Sequence, residues 1–497
     1  MLGSYFFFIR DNPCASVVPI FSLCLCCSGA IMKNEDKFAR IAALRPARRK
    51  ESTAPLVLEP VEGVDRLTAP LGARVNRNHF GEHLSLLQWY STPEMCTPDA
   101  RSLSLLLPQV TGTEDFLTTA IDPQKWLFLD TETTGLAGGT GTYAFMVGIA
   151  WWDAGGLQVE QFFLRDLDEE HSLLLELSER MEQRPVLVTF NGKSFDWPLL
   201  ETRYRMTRAV PAFSPFLHID LLHPARQLWR LRLGSVRLKD LERHVLGGET
   251  RGLDWSRLDD IDSSLIPQIY FDYLRGGPVE PLVGIFRHNQ MDLRGLAALA
   301  GKILGLLDSG NGIENAAHAE THHPIEVLGL SRIMSQRGHS TRARELYETA
   351  LRFDLPRPVQ RLAKRELAQI AKRELDYARA ISLWGELREN PVSRKRSEFP
   401  LYTQDAQKAL EAAIEAAEQL AIHYEHRAKQ PQRALDLIQV AMSELHIAHR
   451  EGQLPKDRGE KIESRLARRL TRLRRRCKSE PLPDCPAPHN RSLDTIT

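Results

Sequence analysis

What most restricts this chain begins at Trp126, where three β-rich runs follow one another: "WLFLD", "TYAFMVGIAWW" and "LQVEQFFL", parted by Gly-rich turns. Aromatic and β-branched side chains suit a pleated surface, and short connections suit antiparallel neighbours, so the runs read as a meander. "DAGG" reads as the tight turn between the second and third. "HSLLLELSERMEQ" then sets Leu173, Leu174, Leu177 and Met181 at helical spacing, and "PVLVTFN" is a short buried strand leading into another helix. Helices continue through "RLKDLERHVLG", "IPQIYFDYLRGG" and a long one from about Val279 to Leu307. Strands first, then a helix, a strand and more helices stack as an α/β sandwich.

The rest of the chain is of another texture. Its 497 residues, 42% hydrophobic and 26% charged, suffice for two to four domains and exclude collagen-like, disulfide-framework and wholly disordered classes. The seven cysteines form no zinc or disulfide framework, since the one CxxC, Cys24 to Cys27, stands in an apolar run without a second pair. Residues 1–31 read as an over-extended reading frame ahead of a start at Met32, with a secretion or lipid-anchor signal as the alternative. Residues 32–120, with scattered prolines and no sustained period, read as a loosely structured lead-in to an α/β domain over 121–308. A linker over 309–323 follows; His318, His322 and His323 have no ligand spacing with any cysteine and are not read as a zinc site.

Residues 324–455 are rich in Ala, Leu, Arg and Glu and read as an all-α array. Ala343, Tyr347, Ala350 and Pro356 follow the spacing of a tetratricopeptide second helix, and Ala380, Trp384, Leu387 and Pro391 echo it at an offset of 37 residues. Ala434, Ile438 and Ala441 supply a third set after a longer helix from Gln404 to Ala428. Residues 456–497 read as a basic helix and a disordered tail. Lys461 to Lys478 carry nine basic residues and one acidic, a local +8 inside a chain of net +1, so the remainder stands at −7.

Three short elements carry chemistry. In "FLDTETTGL", Asp130 and Glu132 are two apart at a strand end and project to one face, where two carboxylates repel unless a proton or cation sits between them. Oxygen donors of this kind suit Mg²⁺. In "VTFNGKSFDWPLL", Asn191 closes a strand and Asp196 enters a first helical turn with Pro198. In "FRHNQMDLRGLAALA", His288 and Asp292 are four apart and share a helix face. Each alone has an ordinary explanation: a solvated strand end, a dipole-capping acid, a surface His–Asp pair.

Together, in this order, they resemble the DEDD superfamily of 3′→5′ exonucleases, and "DTETTGL", "FNGKSFDWPLL" and "HIDLLHPARQLW" are most similar to the bacterial YprB-like ribonuclease-H-like proteins. The resemblance covers about residues 125 to 305 and implies a ribonuclease-H-like mixed sheet with flanking helices, followed by the tetratricopeptide-like array. It makes Asp130, Glu132, Asp196 and Asp292 ligands of two divalent ions, Mg²⁺ or Mn²⁺, with Asp130 bridging and His288 as general base. The chain departs from the pattern at one place, because three residues separate its His from the Asp, the spacing usual for a tyrosine. Thr131, Thr133, Asn191 and Lys193 are expected against substrate. Asp220 in "HIDLL" is read as structural before catalytic.

The function so implied is metal-dependent 3′→5′ exonuclease action on single-stranded DNA or RNA ends, with a protein partner on the helical repeats and a cytoplasmic location without membrane contact. The alternatives are a catalytically inactive binding scaffold and a ribonuclease-H-like endonuclease. For the basic helix, "KIESRLARRLTRLRRRCK", a solvated face, a nucleic-acid clamp and an acidic-membrane surface compete.

Overall fold

The computed structural model describes residues 67–107, 114–135, 139–208, 215–247, 257, 260–312, 323–389 and 400–479. The expectations for residues 1–31, for His318 and His322, for most of the linker and for the tail after Ser479 lie outside the described residues.

The meander is present as β3 (Trp126–Thr133), β4 (Ala144–Asp153) and β5 (Gly156–Phe163), all antiparallel. Ala154 and Gly155, at φ of 50° and 77°, make the two-residue turn that matches the twist of the flanking strands. Two short strands, β6 (Val186–Thr189) and β7 (Leu217–Asp220), continue parallel on the far side of β3. Helix α1 (Glu170–Gln183) leads to β6, α2 (Asp196–Thr207) follows it, and α3 (Leu222–Leu233) follows β7. After α4 (Ile266–Leu274), the 33-residue α5 (Glu280–Gly312) packs against β3, β4 and β5.

Alternation assigns the two faces of β3 to two cores. Trp126 and Phe128 pack with Leu228 and Trp229 of α3. Leu127 and Leu129 pack with Leu173 and Leu177 of α1 and Leu200 of α2. This is a ribonuclease-H-like mixed sheet with flanking helices, in the order β1-β2-β5-β4-β3-β6-β7.

Part of residues 32–120, expected as a loosely structured lead-in, belongs to the sheet: the first two strands in that order, β1 (Arg74–Asn78) and β2 (Gly81–Tyr90), form a hairpin that pairs through β2 with β5. The alternation that marks a strand is masked because polar residues of β2 are buried. His83 Nδ1 lies 2.8 Å from Ser172 Oγ on α1, and Ser85 Oγ accepts from Asn76 Nδ2 at 2.9 Å. Buried polar groups that find partners cost little, and the apolar pattern is lost.

Among the described residues seven helices follow: α6 (Pro324–Gln336), α7 (Ser340–Leu351), α8 (Arg357–Arg373), α9 (Tyr377–Glu389), α10 (Pro400–His426), α11 (Pro431–Arg450) and α12 (Lys456–Ser479). Successive helices pack on one another, and the residues expected to line the array are buried: Ala343, Tyr347 and Ala350, then Ala380, Trp384 and Leu387, then Ala434, Ile438 and Ala441. Helix α5 runs past Leu307 to Gly312, and His323 caps α6 by accepting the Ile325 N–H.

Helix α6 lies directly on α3. Trp229 Nε1 donates to Glu326 Oε1 at 3.0 Å, Arg232 pairs with the same carboxylate, and the core on this side of the sheet runs on through Leu328 and Ile333. Gly329 makes the approach close enough, since a Cβ there would meet the backbone of Gln227 and Leu228. In α9, by contrast, a Cβ on Gly385 meets nothing within 4 Å. Gly385→Ala is therefore expected to stabilise by up to about 1 kcal/mol through helix propensity, while Gly329→Ala destabilises by about 1–3 kcal/mol because backbone has to yield. Urea unfolding of the two variants checks this; equal gains would mean that the helices do not meet so closely at Gly329.

Candidate active site

Three elements bring the expected carboxylates to the end of β3. Asp130 and Glu132 stand on the last residues of the strand, Asp196 opens α2 and Asp292 lies in the middle of α5. Thr131, on the alternate parity, donates from Oγ1 to Asp196 Oδ1 at 2.5 Å and ties the strand end to α2. Asp196 reaches it because Trp197 and Leu200, next along α2, share the core of Leu127 and Leu129.

On the other parity Asp130 begins a row across the sheet, pairing with Gly148 on β4, which pairs with Gln161 on β5. Asn289 of α5 lies over Gly148, where a Cβ would collide with its side chain and with Leu293. Asn289 Nδ2 donates to Asp130 Oδ2 at 2.9 Å, and Gln161 Nε2 donates to Asn289 Oδ1 at 2.9 Å and to the Phe286 carbonyl at 2.8 Å. The Asp130 carboxylate is thus aimed by an amide that is itself held at both ends. Neither amide is legible as a site residue; the one local signal is that "HNQ" interrupts an apolar helix face with three residues that all prove buried.

His288 faces the same space. Its Nε2 is 4.0 Å from Glu132 Oε1 and 3.8 Å from Asp292 Oδ2, and its Nδ1 is 2.7 Å from Asp260 Oδ1. Asp260 is in turn bound at 2.8 Å by Arg257 Nη1, and the same guanidinium contacts Asp292 and the buried Glu242. Arg257 and Asp260 come from a segment with no periodic pattern, so the reading of the sequence missed them; Glu242 lies in the helical run "RLKDLERHVLG", where nothing local marks it as part of the site.

The electrostatics follow from crowding. Burial, followed by the charges of Asp292, Asp196 and Glu132, raises Asp130 well above the carboxylate range, against the pull of the Asn289 hydrogen bond. Burial also pushes Glu132 up to about 8, with His288 opposing and Asp292 and Asp196 reinforcing, and it raises Asp196 against the hydrogen bond from Thr131. Burial pushes Glu242 up to about 6 although Arg257 holds it. For His288, burial disfavours the charged ring, but the Asp260 hydrogen bond and the neighbouring carboxylates outweigh it and raise its pKa. Asp260 goes the other way: burial would raise it, yet hydrogen bonds from His288 and Arg257 bring it down to about 2.

Asp220 is buried, and its carboxylate accepts backbone N–H groups of Asn191 at 2.8 Å, Lys193 at 3.3 Å and Leu222 at 3.0 Å, closing the loop ahead of α2. Asn191 sits at φ 68° in that loop, Lys193 is exposed, and Thr133 Oγ1 donates to the Gly135 carbonyl at 3.0 Å.

The donor set fits divalent cations of the Mg²⁺ or Mn²⁺ type, since it is all oxygen and its charges repel until something positive enters. Among the described residues no three His, Cys, Asp or Glu groups already converge on a point close enough to hold an ion. Arg257 holds Asp292 through Oδ1, so that guanidinium stands beside the carboxylates that would hold an ion.

Comparison with known proteins agrees with the fold. Residues 127–304 match the family model described as the RNase_H superfamily. The chain is also similar to the uncharacterized protein YprB of Bacillus subtilis (strain 168), 29% identical over 342 residues that span 69% of this chain and 73% of that relative.

Raised carboxylates link this site to stability. Between the usual Glu value of 4.5 and about 8, the folded state keeps a proton on Glu132 that the unfolded chain has lost, so stability falls as pH rises through that window. In EDTA, the Tm of the wild type is expected to fall from pH 5 to pH 8. Glu132→Gln removes that contribution and melts higher than wild type at pH 8, with the gap closing toward pH 5. Parallel melting profiles would show that Glu132 is not held protonated.

Proposed function

We propose that the chain is a metal-dependent nuclease, a 3′→5′ exonuclease hydrolysing the phosphodiester bonds of single-stranded DNA or RNA. One observation carries the reading: motifs far apart in sequence, on β3, α2 and α5, direct Asp130, Glu132, Asp196 and Asp292 to one strand end, with His288 beside them. The resemblance of those motifs to DEDD exonucleases supplies the direction of digestion, and the RNase H-like fold supports nucleic acid as the substrate. Two Mg²⁺ or Mn²⁺ ions held by the four carboxylates would supply an activated water and neutralise charge on the leaving 3′-oxygen.

The chain's own residues do the rest. Asp260 stays ionised and can only accept, so the neutral His288 ring places its proton on Nδ1 and presents an unprotonated Nε2 toward Glu132 and Asp292, with the Ser263 hydroxyl 3.4 Å from it. Nε2 then takes the proton of the attacking water, with Asp260 stabilising the charged ring that results. Asn289 and Thr131 hold Asp130 and Asp196 in place, which limits the rearrangement needed on substrate binding. Thr133, Asn191 and Lys193 line the approach for the strand. The pairs α6–α7, α8–α9 and α10–α11 are irregular tetratricopeptide-like repeats that recruit a partner or substrate, and the protein works in the cytoplasm. No helix among the described residues is long and apolar enough to cross a membrane.

The Arg257–Asp292 ion pair favours a second reading, an inactive scaffold in which arginine has replaced the cation. End-labelled single-stranded DNA and RNA with Mn²⁺, Mg²⁺ or EDTA decide between them. The exonuclease gives a metal-dependent ladder shortening from the 3′ end, absent in Asp130→Asn. Internal cuts would mean an endonuclease, and no cleavage by folded protein would mean the scaffold. Asp260→Asn is expected to lower kcat by about 10- to 100-fold with KM little changed, because the base loses its orientation and the substrate loses nothing. Initial rates over a range of substrate concentration check it; an unchanged kcat removes His288 from the proton's path.

A further inference from the structure

Helix α12 divides its surface cleanly. Leu466 and Leu473 are fully buried, and Ile462, Leu470 and Cys477 are packed beside them, against a core supplied by α10 and α11. Two carboxylates on α10, Glu418 and Glu425, are buried under the same helix. Arg465 Nε binds Glu418 at 2.8 Å, while Arg469 Nη1 and Arg472 Nη2 bind Glu425 at 3.2 and 2.8 Å. These pairs fix the register of α12 on α10, and they account for three of its arginines.

Lys461, Arg468 and Arg475 are not accounted for in that way. All three are exposed, and among the described residues none has a carboxylate partner; Arg468 donates from Nε to the Ser464 carbonyl at 3.3 Å. Their spacing of seven residues returns them to one face about every 10 Å along the helix, with Arg465 and Arg472 exposed between them. Acidic residues stand only toward the start of the helix, at Asp457, Glu460 and Glu463, and none follows Glu463. Arg468 and Arg475 have no acidic residue three or four positions away on the helix, so their charges gain nothing from neighbours along it. Cations near a helix C-terminus gain from its dipole, but that reaches only the last turn and leaves Lys461 and Arg468 unexplained.

We propose that this face of α12 is a second nucleic-acid contact, a sequence-independent clamp on the phosphodiester backbone of a strand. The choice of partner rests on the helix's own division. A membrane-surface helix inserts its apolar side, and here that side is already used inside the protein. The exposed side offers charge and no aromatic ring on which a base could stack, the chemistry of phosphate contact without base readout. Choosing nucleic acid as the polyanion rests also on the nuclease reading above.

Binding of a fluorescein-labelled single-stranded 20-mer to the full chain, followed by anisotropy in EDTA over a series of salt concentrations, tests the surface apart from cleavage. Lys461→Gln/Arg468→Gln/Arg475→Gln is expected to weaken Kd at least tenfold near 0.1 M salt and to reduce the slope of log K against log salt by about 2, since each single-strand phosphate that is no longer neutralised takes about 0.7 from the slope. Arg352→Gln/Arg357→Gln, exposed basic residues outside α12, serves as the control for net charge and should leave the slope unchanged. A triple variant with wild-type circular dichroism and an unaltered slope overturns the proposal. So does equal loss in the control, or binding to phosphatidylserine vesicles that the triple variant loses while nucleic-acid affinity stays. A chain that cleaves nothing yet loses the slope keeps the clamp and sinks the nuclease; one that cleaves with its slope intact does the reverse.

Discussion

The seat of Asn289 over Gly148 is the contact on which the site depends. Because Gly148 has no side chain, α5 can lie close enough to the sheet for an amide to reach both Gln161 and Asp130. That closeness fixes the rotation of α5 about its own axis. With Asn289 turned down onto the sheet, His288 and Asp292, one residue before it and three after, are carried toward the end of β3, where Glu132 stands. A helix held a few ångströms further off would still bury Leu293 and Leu296, but its polar residues would meet nothing. Packing and chemistry therefore share one constraint, a glycine in the middle of a central strand.

The electrostatic arrangement is the counterpart of that packing. Four carboxylates are brought together by elements whose burial is favourable for other reasons, and the energy of their crowding has to be met locally. A raised proton affinity at Asp130 and Glu132 answers part of it, and Arg257 answers another part by pairing with Asp292. Arg257 also holds Asp260, which holds His288, so one guanidinium couples a ligand-type carboxylate to the orientation of the imidazole. Release of Asp292 would not by itself release Asp260, since the two contacts use different nitrogens of the guanidinium. The ring can then stay aimed while the carboxylate is freed.

Much of this was legible in the residues, and the division between what was and what was not has a physical basis. The meander from Trp126, the strand "PVLVTFN" and the long helix carrying His288 announce themselves by period, because each buries an apolar face. Asp130, Glu132, Asp196 and Asp292 could be placed because each falls at a fixed position on such an element. The hairpin of β1 and β2 was hidden because His83 and Ser85 are polar and buried: His83 Nδ1 meets Ser172, far away in sequence, and Ser85 accepts from Asn76 across the hairpin. Asp260 and Arg257 were hidden for a related reason: they lie in segments without a period, and only tertiary contact gives them a role. Asp220 shows the converse. It occurs in a recognisable motif, and its carboxylate is engaged by the backbone of the very loop that precedes Asp196.

The helical region extends the same core and is not an appendage to it. Leu228 and Trp229 of α3 face the sheet with one side of their helix and α6 with the other, and the buried Glu326 receives both the Trp229 indole and Arg232. A buried carboxylate is costly unless its partners are in place, so a sliding or detached α6 would leave charge without compensation. From α6 onward each helix rests on the one before it, down to α12 on α11. At that far end Glu418 and Glu425 repeat the device, holding α12 in register through Arg465, Arg469 and Arg472. The outward row of Lys461, Arg468 and Arg475 is consequently carried on a packed succession of helices that starts at the sheet, so its position relative to the carboxylates is set by side-chain packing and not by a tether. A basic tail joined by a flexible linker would raise the local concentration of a strand without directing it. A row held in place by packing would also set the direction in which a bound strand leaves the protein.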